Sequence, residues 1–416
     1  MIGSQSPPQR LFTWQNGALV LVWLYIAFVL SKIVLHPHAF QWDFQVYYYS
    51  ARAFVLGQNP YESQTLERMY KPVAPQLSYA YPPLTLFFYK LWGSLPIVVA
   101  CKLWFGLKLL SVAALVYVWH RWFLPLKHNL PTIAYFAFAF NAALDIDLRS
   151  GNISVFEQLV LWTGLACLLT GRRWMFCVCI VVLTQFKLTP IAFLLLLLLA
   201  DERPHWKPFF ISLAASVALL VANMMFYPSL FRAWLHPPLV RSDERGRVNP
   251  ATLALLRDGR DMLAHHGLRL PNAITAIVYL MVCTGIVWAT VKAWRVYREH
   301  FPVPDPRLRI FLFCVVYALV LPRFKEYSYI LLLIPTLFLL RRQPPGLFMV
   351  WASALFLLPG IYNLPFGNYI NVVIANYLPL LLAYTVWYFY LTELRCPHVS
   401  ASALEPQAPP LLARII

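Results

Sequence analysis

Asp43 is a carboxylate placed just beyond the first long apolar run, opening Asp43-Phe44-Gln45-Val46-Tyr47-Tyr48-Tyr49-Ser50. Three further groups could share chemistry with it. They are Asp145-Ile146-Asp147-Leu148-Arg149-Ser150-Gly151-Asn152, Lys187 within Gln185-Phe186-Lys187-Leu188-Thr189-Pro190, and Pro322-Arg323-Phe324-Lys325-Glu326-Tyr327. Ionisable side chains at membrane depth are costly to keep, so they are read first as functional. One carboxylate with several cations suits a reaction on a lipid-phosphate substrate. The carboxylate would take a proton from an attacking hydroxyl. The cations would hold the phosphate, bidentately in the case of Arg. A phosphate leaving group needs its charge neutralised more than it needs a general acid.

Each residue also has a plainer use. Asp43 suits the N-cap of the helix that follows. Asp145 and Asp147 suit a water-exposed turn paired with Arg149, a reading favoured for Asp147. Asn152 suits a helix start, and Lys187 could snorkel to the interface. Pro190, three residues on, instead predicts a broken helix there. Arg323 and Lys325 suit loop anchors, with Glu326 paired to either. Tyr47, Tyr48, Tyr49, Tyr79 and Tyr81 suit an interfacial aromatic belt as well as a sugar-stacking surface. His265-His266 lies with Arg241, Arg245, Arg247, Arg257 and Arg260 in the stretch 228–270, which reads as a solvated loop or an acceptor-binding one.

These residues must be held by elements built for lipid. The chain has 416 residues, is 60% hydrophobic and only 12% charged, too oily for the surface of a soluble protein of this size. Apolar stretches separated by charged or proline-bearing breaks predict an all-α, polytopic membrane protein, since helices satisfy their own backbone in lipid. The expected spans are 14–35, 97–119, 131–146, 153–170, 174–187, 188–200, 208–227, 271–294, 308–322, 327–340, 346–361 and 371–391, about 11–13 in all once 82–92 is left open between a span and a surface helix. The first stretch, about Ala18 to Val34, reads as a signal anchor rather than a cleaved leader. Residues 1–395 read as one membrane domain with outer loops 36–96 and 228–270, and 396–416 as a disordered cytoplasmic tail.

The net charge is +17, carried in loops rather than in a nucleic-acid-binding face. With the N-terminus cytoplasmic and 82–92 not crossing, Arg172-Arg173, Arg203/Lys207, Lys292 through Arg309, Arg341-Arg342 and Arg395 all fall inside, as the positive-inside rule asks. Asp43, the 145–152 turn, Lys187, the 228–270 loop and Arg323–Glu326 then share the outer face. Six of the seven cysteines lie in apolar spans, Cys177-Val178-Cys179 is too close for a relaxed disulfide, and no spacing fits zinc. No HExxH, Walker loop, GxSxG or GxGxxG is present, which removes support from metalloprotease, nucleotide-driven and serine-hydrolase chemistries.

The run from Asp43 to Ala53, then Gly57-Gln58-Asn59-Pro60-Tyr61 and Tyr79-Ala80-Tyr81-Pro82-Pro83-Leu84, resembles the opening of glycosyltransferase family 87. Gly151-Asn152-Ile153 is similar to the family's Gly-Gln-x-Asn turn, with Asn in place of Gln. Phe186 to Pro190 resembles its Lys-x-x-Pro segment, and Pro322 to Tyr327 its late outer loop. The resemblance implies a C-superfamily membrane enzyme of the inner (plasma) membrane. Its donor would be a polyprenyl-phosphate sugar, mannose or another hexose or pentose, transferred with inversion to an acceptor hydroxyl on the extracytoplasmic face.

It also implies Asp43 as the general base. Lys187, Arg323 and Lys325 would hold the donor phosphate, and Tyr47, Tyr81, Asp145, Asn152, Glu326 and Tyr327 would line the substrate site. The acceptor would be a glycolipid, polysaccharide or protein in the bilayer setting. No cofactor and no nucleic acid is implied, and divalent-metal dependence stays open. A transporter or flippase of lipid-linked sugars would use the same cations without an essential base, and a non-catalytic scaffold would need neither.

Overall fold

The computed structural model describes residues 14–37, 39–69, 79–199, 203–236, 244–301, 304–342 and 368–395. Among these the chain is helical, without strands. Five helices are long and apolar enough to cross a membrane: α1 (Trp14–Leu35), α5 (Ile97–Val118, continued by a π-turn to Phe123), α10 (Trp206–Phe226), α13 (Asn272–His300) and α16 (Asn368–Arg395). The bent pair α6 (Leu130–Ser150) and α7 (Ser154–Leu169), meeting at 115°, makes a sixth if counted as one span. The chain is therefore a polytopic all-α membrane protein. The expected spans 174–187, 188–200 and 327–340 exist as shorter apolar segments: α8 (Arg173–Thr184), a 3-10 turn leading into α9 (Leu196–Leu199), and a 3-10 turn leading into α15 (Leu333–Leu340). The expected span 346–361 and the tail 396–416 lie outside the described residues.

Segment 82–92 is resolved by length. Its helix α4 (Thr85–Gly93) has 9 residues, about 14 Å of rise at 1.5 Å per residue, half a bilayer core. It packs instead on α2 (Trp42–Val55), which also packs on α3 (Ser63–Met69), and all three are short. Between them lies an aromatic core of Phe44, Tyr47, Tyr48, Tyr79, Tyr81, Tyr89, Trp92 and Trp104. Phe44 stacks on Trp104 at 4.7 Å and Tyr47 leans on Tyr89 at 4.9 Å, offset contacts that aromatic quadrupoles favour. The buried tyrosines are thus a packed platform rather than an open belt.

Two of the expected boundaries move. The span predicted at 131–146 continues to Ser150 and is broken inside, with Ala139–Ala142 outside helical geometry and Phe140, Asn141 and Ala142 at positive φ. Asp145, Asp147 and Arg149 therefore ride on the last turns of α6, not on an exposed turn. The stretch 228–270 is likewise not one open loop. It carries α11 (Pro228–Leu235) and α12 (Thr252–His265), and Arg245, between the two, pairs with Asp258 and Asp261 of α12.

The shell and the core separate cleanly. α1, α10 and α13 leave apolar side chains such as Leu24, Phe28, Phe210, Met225, Met281 and Trp288 exposed, which is sustainable only against lipid. The ends of α5, α6 and α7 pack with α14 (Pro306–Val320), α15 and α16 into the main core.

Candidate active site

The site forms where α2 meets the turn between α6 and α7. Asp43 sits in the first turn of α2, and the N-cap position belongs to Gln41, not to Asp43. A carboxylate there is favoured by the positive end of the helix dipole. The α6–α7 turn reaches it through Gly151, which adopts φ 69° and closes α6. A side chain at 151 would meet the Cβ atoms of Gln41 and Phe44 at 2.9 Å, so only glycine lets α2 and the turn come this close. The contact is fixed by Gln41 N–H donating to Arg149 O at 2.5 Å and Trp104 Nε1 donating to Gly151 O at 2.9 Å.

Asn152 follows and points its amide at the carboxylate. Its Nδ2 donates to Asp43 Oδ2 at 2.7 Å and to Tyr47 Oη at 3.1 Å. Its Oδ1 accepts from Ser154 N at 3.0 Å and Ser154 Oγ at 2.8 Å. The backbone N–H of Ser154 can only donate, so the oxygen end of the amide is pinned there and the NH2 end must face Asp43. Tyr47 and Tyr81 hydrogen-bond through their hydroxyls at 3.0 Å. Burial, reinforced by Tyr81 and Asp43, pushes the Tyr47 phenol well up, and burial with Glu157 does the same to Tyr81. Both remain neutral hydroxyls at physiological pH.

Asp43 is half-buried. Burial pushes its carboxyl above the ordinary carboxylate range, only partly opposed by Lys325, the Asn152 hydrogen bond and Lys108. A carboxyl tuned upward is a stronger base near neutral pH than a free one.

The cations converge on Tyr327. Lys187 Nζ lies 5.7 Å and Lys325 Nζ 5.9 Å from its ring centroid, the reach of cation–π attraction. Lys187 is delivered by the break that Pro190 imposes after α8, and it pairs with Glu157 of α7 at 2.6 Å. Lys325 and Arg323 leave α14 together, and Glu244 bridges them at 3.0 and 2.5 Å. Burial would raise Glu244, but Lys325 and Arg323 outweigh it and hold its carboxyl below the usual range. Glu326 faces Arg247 at 3.7 Å. The loop beneath is braced by Asn249, whose Oδ1 accepts from Phe324 N at 2.9 Å.

The Tyr79–Leu84 segment, with two prolines lacking N–H groups, is secured from elsewhere. Asn223 of α10 accepts from Leu84 N at 2.8 Å, Trp234 of α11 donates to Ala80 O at 3.0 Å, and Tyr61 donates to Tyr81 O at 2.6 Å.

A family model, glycosyltransferase family 87, matches residues 79–322. That is more than half of the chain. The chain belongs to glycosyltransferase family 87. It is accordingly a membrane glycosyltransferase, and a sugar donor, an acceptor and the bilayer are its partners. The matched stretch contains Tyr81, Asn152, Lys187 and Glu244 and stops just before Arg323, while Asp43 precedes it and is joined to it by the Asn152 contact. Comparison with curated proteins and with solved structures gives no match.

Of the residues singled out in the sequence, Asp43, Tyr47, Tyr81 and Asn152 form one hydrogen-bonded chain, and Lys187, Lys325 and Tyr327 form the adjoining cationic side. Arg323 and Glu326 join through Glu244 and Arg247. Asp145 does not join, since Arg149 holds both its oxygens at 2.9 Å. Asp147 is the clearest correction. It is not exposed and not paired with Arg149; it is wholly buried against Lys108 of α5 at 2.7 Å. Lys108, Glu157, Asn223 and Glu244 carry no sequence motif. Only a charge or amide in an apolar stretch could have flagged Lys108, Glu157 and Asn223, and Glu244 is one charge in a charged run. Among the described residues no group of three or more His, Cys, Asp or Glu side chains is placed to hold a metal ion, and the six described cysteines are free.

Proposed function

We propose that this family 87 enzyme transfers a sugar from a polyprenyl-phosphate donor to an acceptor hydroxyl, with inversion and with Asp43 as general base. The observation that carries this reading is the half-buried Asp43 carboxylate held by Asn152 at 2.7 Å, with Lys325 as the strongest neighbouring cation. Asp43 takes the acceptor proton while the acceptor oxygen attacks the anomeric carbon. The new C–O bond forms as the bond to the phosphate oxygen breaks, and that electron pair leaves with the polyprenyl phosphate. Lys187, Arg323 and Lys325 neutralise the leaving phosphate, and Tyr327 sits against two of them. Tyr47 and Tyr81 form the buried floor beneath the sugar and brace Asn152 through their linked hydroxyls. Asn152 orients the base. The prenyl tail stays in the bilayer, which places the reaction at the membrane surface.

We place this surface on the extracytoplasmic side of the inner membrane, because the basic loops gather at the opposite end of the helices. The test is sugar transfer by purified protein in nanodiscs, with polyprenyl-phosphate-mannose and a host lipid extract. Wild type is expected to give a product, and Asp43→Asn to form it about 10²–10⁴-fold more slowly. Full turnover by a folded Asp43→Asn protein would overturn the assignment of the base, and product only from another polyprenyl-phosphate sugar would correct the donor.

A further inference from the structure

Lys108 and Asp147 are the most deeply placed charges in the described protein, with side chains of 0% exposure on α5 and α6. A buried pair contributes little net stability, and apolar residues of similar volume usually replace it without loss of fold. Its presence therefore asks for another reason, and the geometry supplies one. Lys108 Nζ spends its remaining protons on the turn that carries Asn152. It donates to Asn152 O at 2.7 Å and also to Asp147 O. Asp147 O has other donors, Ser150 Oγ and Gly151 N, both at 3.1 Å. For Asn152 O, Lys108 is the hydrogen-bond donor. One ammonium thus holds the main chain of the residue whose side chain holds the base. Ser154 clamps the other end of that side chain.

We infer that the Lys108–Asp147 pair is a positioning device that, with Ser154, aims the Asn152 amide at Asp43. The pair touches neither substrate nor reacting atoms in this arrangement; it acts through Asn152. This inference rests on Asp43 being the base. Four charged groups act on Asp43 or are acted on by it: Lys325, Lys108, Glu244 and Glu326. The phenols of Tyr47, Tyr81 and Tyr327 also face it. Losing the Asn152 hydrogen bond and the Lys108 charge together removes two of the influences that favour the carboxylate.

The test replaces the pair as a unit, Lys108→Met with Asp147→Leu, leaving Asn152 O without its donor. The variant is expected to keep its thermal unfolding temperature. Its kcat should fall about 10–100-fold, the scale of a small misplacement of a reacting group, with the donor KM nearly unchanged. The acid limb of the pH profile should move to higher pH. In an Asn152→Ala background the same pair replacement should cost less than about twofold, because coupled sites share one effect. Wild-type kcat and pH profile in the pair variant, or full additivity with Asn152→Ala, would overturn the proposal.

If the pair variant does not fold, Ser154→Ala removes the hydroxyl half of the other clamp, leaving the residue-154 N–H on Asn152 Oδ1, and is expected to shift the same limb in the same direction by a smaller amount. An unmoved limb there also counts against the proposal. A structure of the folded pair variant needs no substrate. It should show the Asn152 amide beyond about 3.5 Å from Asp43, outside hydrogen-bond range, and a retained 2.7 Å contact refutes the device. An Asp43→Asn control separates the two claims. If it stays fully active the base assignment fails; if it is inactive while the pair variant is normal, only the positioning role fails.

Discussion

At the scale of the residue, Asp43 is held in a state that disfavours its own charge. Its folded carboxyl titrates above its unfolded value because burial outweighs Lys325 and Asn152. The native state therefore binds the proton more tightly, and the ionised form is a stability cost that disappears as pH falls through the raised value. Two outcomes follow from one sign. Turnover should fall as pH drops through a limb lying above the ordinary carboxylate range, readable as kcat against pH. Asp43→Asn should lose about 10²–10⁴-fold in kcat, the worth of a general base, while its unfolding temperature at neutral pH stays equal or rises. A variant that loses both activity and stability would instead make Asp43 structural. Asp43 was legible in the sequence because it is a lone carboxylate after an apolar run. Lys108 and Asp147 were not, because i-to-j pairing between α5 and α6 depends on how deep each helix sits, which no local spacing records. The reading of Asp147 as part of a water-exposed turn paired with Arg149 failed for that reason.

At the scale of the element, the site depends on two joints. The first is Gly151. Ala at this position would combine a positive φ with contacts of 2.9 Å to Gln41 and Phe44. Gly151→Ala is expected to destabilise by about 1–3 kcal/mol and to lower kcat as Asn152 moves, checked by unfolding temperature and turnover together. The second joint is the Glu244 bridge between Arg323 and Lys325. A carboxylate on both cations would compete with the phosphate of the proposed donor. Glu244→Gln is therefore expected to lower the donor KM several-fold, on the order of 1 kcal/mol for a half-exposed pair; a raised KM would mean that Glu244 aligns the cations instead. The helices themselves were largely readable from apolar length, and the Pro190 break was readable from one residue. The break at 139–142 and the helices within 228–270 were not. The first has no proline or glycine to announce it, and the second is amphipathic and short, so hydropathy alone merges it with loop.

At the scale of the whole molecule, the chain sorts its charges by end. Arg307 donates to Phe123 O at 3.1 Å, Arg309 to Leu199 O at 2.7 Å, Arg341 to Pro125 O, and Arg342 lies 3.8 Å from Glu393. These contacts gather the basic turns around one end of α5, α14, α15 and α16. Asp43, Asn152, Lys187, Glu244 and Lys325 occupy the other ends of the same bundle, where α2 and α4 pack on α5. That segregation is what the positive-inside rule rewards, since Lys and Arg in short loops are retained on the cytoplasmic side. It yields a test independent of any substrate. In a cysteine-free background, Arg269→Cys marks the site end just before α13, and Arg172→Cys marks the basic turn between α7 and α8; both positions are exposed. A membrane-impermeant maleimide should label position 269 in intact cells and position 172 only after permeabilisation. The reverse pattern would put the site in the cytoplasm. It would then oblige the donor to present its phosphate on the inner leaflet, because the helices fix the two ends relative to each other and only their common orientation in the bilayer is free.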